Sequence, residues 1–145
     1  MPDQINGLDS NIEEWEEIEF MVDSGASSTV IGEDKVRAVA ATSPVAERHF
    51  KMADGGLIPH NGAKKFKAVS EEGCDRWLHA QVTSVEEPLL SVSQIVAAGC
   101  KVVFDKYNSY IEDTTRGEKI FLEQKGGLYM LKMWVPREQP FGRRD

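Results

Sequence analysis

The sequence predicts an all-β protein: a closed barrel or sandwich with one protruding hairpin and one short helix. Two observations carry this. Short runs of strand character are broken by turn signals about every ten residues, the spacing of small sandwiches and barrels. Asp54-Gly55-Gly56 stands between two extended runs, and Asp-Gly there is a strong hairpin signal because both residues tolerate positive φ.

The elements follow in order. Residues 1–14 are polar and acidic and read as a flexible arm. Glu17-Ile18-Glu19-Phe20-Met21-Val22 begins as an alternation and ends as an apolar run, a strand passing from the surface into the core. Ser28 to Ile31 continues after a tight turn at Gly25. Residues 33–41 suit a short helix with acids in its first turn. His49 to Ala53 and Ile58 to Val69 form the hairpin arms; Pro59 donates no ladder hydrogen bond, so this is an edge or free-standing ribbon. Trp77 to Val85 alternates, with Leu78, Ala80 and Val82 on one face. Leu89 to Val92 is a short buried run. Ser93 is placed to cap a brief helix, Gln94 to Ala98, that stops at Gly99. Val102 to Phe104 is a strand, two hairpins turn near Asn108-Ser109 and Arg116-Gly117, and a last strand runs from Leu128 to Val135. The domain thus spans residues 15–135, its part from 105 on being an extension, and 136–145 is a polar, flexible tail.

Composition narrows the function. At 145 residues, 41% hydrophobic and 28% charged, the chain suits one globular domain with a core that needs no metal or disulfide. The net charge of -7 argues against a nucleic-acid surface. Lys64, Lys65 and Lys67 read as a solvated strand face, and Arg137, Arg143 and Arg144 as part of the tail. No apolar run is long enough for a membrane span, and the first residues lack a signal peptide's apolar stretch. Cys74 and Cys100 then read as free thiols in a reducing, cytoplasmic setting. No cofactor is expected. Cys74, His79, Cys100, His49 and His60 do not make a standard zinc spacing, so no metal is expected either. The same residues, and the three tryptophans Trp15, Trp77 and Trp134, are expected in strand faces and packing.

One segment carries chemistry. In Phe20-Met21-Val22-Asp23-Ser24-Gly25-Ala26-Ser27-Ser28, an apolar strand delivers a carboxylate into a turn of small residues. Gly25 permits a sharp turn and close approach of another group. Taken alone, the segment is equally an Asx turn ending a strand, with Asp23 capping its own backbone.

Here the sequence resembles a known family. Val22-Asp23-Ser24-Gly25-Ala26 looks like the catalytic turn of the retropepsins, the aspartic proteases of retroviruses and LTR retrotransposons. Lys51-Met52-Ala53-Asp54-Gly55-Gly56-Leu57-Ile58-Pro59 resembles their flap. Leu89-Leu90-Ser91-Val92-Ser93-Gln94-Ile95, followed by Gly99-Cys100-Lys101-Val102-Val103-Phe104, resembles their second signature and is especially similar to the Copia type of retrotransposon. The resemblance covers about residues 15–135. It departs from the viral pattern at Ser91, where viral members usually have glycine, and in lacking the Arg-Asn that commonly follows and helps brace the viral active site and dimer.

The resemblance implies a retropepsin-like barrel and an aspartic endopeptidase acting on a retrotransposon polyprotein in the cytoplasm or in virus-like particles. Two carboxylates around one water are needed, one as base and one protonated. The chain has one Asp-[Ser/Thr]-Gly turn, so the implied active form is a two-fold homodimer with Asp23 from each copy at the axis. Ser24, Gly25 and Ala26 complete the turn, with Ser24 bracing the partner. Ala53, Asp54, Gly55, Gly56, Leu57 and Ile58 belong to the flap, whose backbone, with Gly25, would hold an extended peptide. Val30, Leu89 and Val92 are pocket walls. Two subunits at -7 repel, so dimerisation and activity are expected to improve below about pH 6. The alternative is a non-catalytic module of the same fold, used for dimerisation or peptide binding.

Overall fold

The computed structural model describes residues 14–42, 49–51, 57–59 and 62–140, the two short segments as backbone alone. Among them are eleven strands: β1 (Trp15–Asp23), β2 (Val30–Gly32), β3 (His49–Lys51), β4 (Leu57–Pro59), β5 (Ala63–Ser70), β6 (Asp75–Thr83), β7 (Leu89–Ser91), β8 (Cys100–Val103), β9 (Ser109–Asp113), β10 (Glu118–Lys125) and β11 (Leu128–Pro136). One helix, α1 (Val92–Ala97), follows β7 directly.

The strand order is β1-β7-β2-β6-β5-β11-β10-β9-β8, and β1 also pairs with β11. Six strands therefore close a barrel, and β10, β9 and β8 continue the sheet beyond it. The closing seam is antiparallel and runs from Trp15↔Pro136 to Met21↔Met130. Closure leaves no open edge in the barrel itself. Among the described residues β3 and β4 pair with each other and with no strand of the barrel.

Alternation explains the core. Ile18, Phe20 and Val22 on β1 face Phe66 and Ala68 on β5, Ala80 and Val82 on β6, Leu90 on β7, and Leu131, Met133 and Val135 on β11 in one cluster. Ile111 and Ile120 join it from β9 and β10, so the extension packs on the barrel rather than trailing from it. Each fully buried side chain of this kind contributes about 1.5–3 kcal/mol of transfer free energy.

Four expectations are corrected. Residues 33–41 form turns, not a helix. Lys35 N–H bonds Gly32 O at 3.2 Å and Val39 N–H bonds Val36 O at 3.2 Å. Two side chains take the groups a helix would use. The Glu16 carboxylate accepts from Val36 N and Arg37 N, each at 2.8 Å, and Lys64 Nζ donates to Lys35 O at 2.8 Å and Val36 O at 2.9 Å. Val36 sits at φ 55, a strained position for a β-branched residue, held by these bonds and by complete burial. Second, Lys64 is buried rather than solvated, because it serves this loop. Third, α1 begins two residues earlier than expected: Ser91, not Ser93, is the N-cap and accepts from Gln94 N at 3.2 Å. Fourth, order extends past residue 135. β11 includes Pro136, and Gln139 clips to β5, accepting from Lys67 N at 2.7 Å.

Candidate active site

Asp23 is the last residue of β1, half-buried, where the strand gives way to the turn. Its Oδ1 accepts Gly25 N at 2.7 Å, and its carbonyl accepts Ala26 N at 3.4 Å. This is an Asx turn. It fixes the carboxylate's rotamer and engages one oxygen, which leaves Oδ2 for a water or a second carboxylate. A Cβ on Gly25 would lie 3.3 Å from Oδ1, a tight contact that would push on the carboxylate the turn holds. Ser24 and Gly25 are exposed; Ala26 is half-buried.

Behind the turn stands a buried polar network. β1 and β7 are parallel, with Asp23 opposite Ser91. Ser91, fully buried, donates its hydroxyl to Ala26 O at 2.7 Å, and its N–H goes to Thr29 Oγ1 at 3.0 Å. Thr29 N–H in turn donates to Gln94 Oε1 at 2.9 Å. Thr29 O accepts Gln81 N at 2.8 Å. Both ends of the turn are thereby tied to β7, α1 and β6 by neutral groups. Ser91-x-x-Gln94 has the form of a capping box, but here the glutamine reaches Thr29 instead of its own cap. That pattern was the signal by which Ser91 and Gln94 could have been found; Thr29 has none without the structure.

Register places the other predicted residues. In-register partners point to the same side of a sheet. Met21 pairs with Leu89, Leu89 with Val30, Val30 with Gln81, and Gln81 with Ala63. One row thus crosses β1, β7, β2, β6 and β5 on the face opposite Val22, Leu90 and Ile31. Asp23, two residues beyond Met21, shares that face. Val30 and Leu89 are brought together beside Asp23's strand. Val92 is not with them: it starts α1 and packs against the core cluster.

The row ends at the root of the β3–β4 ribbon. Thr42 N–H bonds Ala63 O at 2.8 Å, Ala63 N–H bonds Thr42 Oγ1 at 3.2 Å, and Gly62 O accepts Val82 N at 2.8 Å. Gly62 has φ +105, and a Cβ there would be 2.1 Å from Thr42 O. The chain therefore leaves and rejoins the barrel at one clamp. The ribbon's register is Lys51↔Leu57, Phe50↔Ile58 and His49↔Pro59. Leu57 and Ile58 lie on β4; Ala53, Asp54, Gly55 and Gly56 lie outside the described residues.

The remaining candidates do not assemble. Among the described residues no three His, Cys, Asp or Glu side chains converge as a metal site. Cys74 and Cys100 are half-buried free thiols, and burial pushes both above their ordinary range, which disfavours thiolate chemistry. No helix among the described residues is long and apolar enough to cross a membrane. Comparison of the chain with models of protein families, with curated proteins and with solved structures finds no match.

Proposed function

We propose that the chain is an aspartic endopeptidase of retropepsin type, active as a homodimer in which each copy supplies Asp23. The observation that carries this is the shared face. A carboxylate held rigid at a strand end lies on the same side as a cross-strand row that runs to the root of the β3–β4 ribbon. A carboxylate at a strand end, a row of side chains on its face and a ribbon joined to the end of that row suit the holding of an extended peptide near a water-activating group.

In the dimer the two Asp23 carboxylates would flank one water. Two such groups about 3 Å apart share a proton and titrate as a pair. The ionised member takes a proton from the water. The protonated member donates to the scissile carbonyl as the water's oxygen attacks carbon. The tetrahedral intermediate then collapses, its nitrogen is protonated, and two peptides leave. Because Oδ1 is engaged by Gly25, Oδ2 is the atom that acts. Val30 and Leu89 would contact substrate side chains; Gly25 and the ribbon backbone would pair with its main chain. The proposed substrate is a retrotransposon polyprotein, cut in the cytoplasm or in virus-like particles.

A second reading has its own observation. The Asx turn already gives Asp23 a structural task, so the same geometry serves a non-catalytic dimerisation or peptide-binding module. Cleavage of a peptide library at pH 5 by wild type and Asp23→Asn separates the two. Cutting lost in the variant supports the protease; peptide binding without cutting by either supports the module.

A further inference from the structure

A cavity of about 430 Å³ lies on the core side of the sheet, behind the Asp23 turn. Its walls come from β6, β7, α1, β8, β9, β10 and β11, so it lies between the barrel, the helix and the extension and opens to solvent. Leu78, Leu90, Ile95, Ile111, Leu131 and Met133 make the body of the lining. Thr29, Gln94 and Arg76 supply polar groups to the lining.

We propose that this cavity binds an uncharged, mainly apolar small molecule bearing one hydrogen-bond acceptor for Gln94. The volume falls in the range of about 300–1,000 Å³ of small-molecule sites. It would hold only about one turn of a helix with side chains, too little for a docked protein element. Charge selects a neutral ligand. Arg76 Nη2 already meets Glu118 Oε1 at 2.6 Å and Asp113 Oδ2 at 3.3 Å, so no net positive charge remains for an anion. Gln94 gives its Oε1 to Thr29 N and keeps Nε2 as the donor for the ligand's acceptor.

The site also touches the turn network. Gln94 is the link between α1 and Thr29, and Thr29 holds Ser91. A ligand on Gln94 therefore perturbs Thr29, six residues after Asp23. This inference stands on the cavity and needs no cleavage, so it survives or fails separately from the proteolytic reading.

The test uses the full chain and 1-naphthol as probe, followed by amide NMR. The expected result is saturable one-to-one binding with a dissociation constant below about 1 mM, or better than about -4 kcal/mol. The Thr29 amide should shift with occupancy, and Asp23→Asn should bind equally well. Ile120→Phe, which fills the interior, and Ala98→Phe, at the exposed mouth, should each weaken binding at least tenfold. The second variant guards against misfolding of the first. No saturable binding, binding unchanged in both folded variants, or binding that leaves the Thr29 amide unmoved would overturn the proposal.

Discussion

Asp23 and Ser91 are register partners at the ends of two parallel strands, and the Ser91 hydroxyl reaches past Asp23 to the carbonyl of Ala26. One serine thus ties the far side of the turn to β7 and, as N-cap, starts α1. Because it is fully buried, its loss leaves Ala26 O and Gln94 N without their partner. Ser91→Ala should destabilise the fold by about 1–3 kcal/mol. Urea denaturation measures this, and peptide cleavage should fall as the turn loosens.

The root of the ribbon gives a second expectation. Gly62→Ala places a methyl group 2.1 Å from Thr42 O at φ +105, which no side chain can absorb because the obstacle is backbone. The substitution should cost more than about 2 kcal/mol. Gly73→Ala is the control: it shares the positive φ but meets nothing within 4 Å, so it should cost less. A thermal melt of each variant compares them.

Much of the strand pattern was legible because it is local. Ile18, Phe20 and Val22 alternate, and Gly99 at φ +97 ends α1 as its position suggested. The expectation of a β-barrel with one short helix agrees with the described residues. What was not legible depends on distant partners. Residues 33–41 have helix-like composition, but Glu16 and Lys64 capture their backbone from other strands. Lys64 looks like a surface lysine until β5 is seen to point it inward. At the site, the turn at Asp23 could be read from Val22 to Ala26 alone. Thr29 could not, since its worth comes from Ser91 and Gln94, more than sixty positions away.

Lys64 itself is testable. Lys64→Met removes both hydrogen bonds to the carbonyls of Lys35 and Val36 and should destabilise the protein at pH 7 by about 1–3 kcal/mol. Burial pushes the Lys64 ammonium below its ordinary 10.5, against the opposing pull of Glu16. Between the lowered value and 10.5 the unfolded chain binds more protons, so wild-type stability should rise with pH through that window. The variant should lack this rise. Denaturation from pH 7 to pH 10.5 measures both slopes.

Acid should act in two stages. Mild acid, below about pH 6, lessens repulsion between subunits of net charge -7 and should favour dimerisation, read by sedimentation. Stronger acid removes a stabilising pair. The hydrogen bond from Lys67 Nζ, 2.8 Å away, holds the Asp75 carboxyl below its ordinary 3.8. That contribution is present above 3.8 and is lost as pH falls through the lower native value. Both groups are partly exposed, so Asp75→Asn should cost only about half a kcal/mol at pH 6 and nothing near pH 2.

The central claim is that Asp23 acts from two subunits on one water. Its most direct test is cleavage of a peptide library at pH 5 by wild type and by Asp23→Asn, with sedimentation run on the same samples. The account predicts that both proteins are folded dimers and that only wild type cuts, the variant losing at least a thousandfold in rate (about 4 kcal/mol of barrier). Equal cutting by both proteins, or no cutting by a folded wild-type dimer, would contradict it.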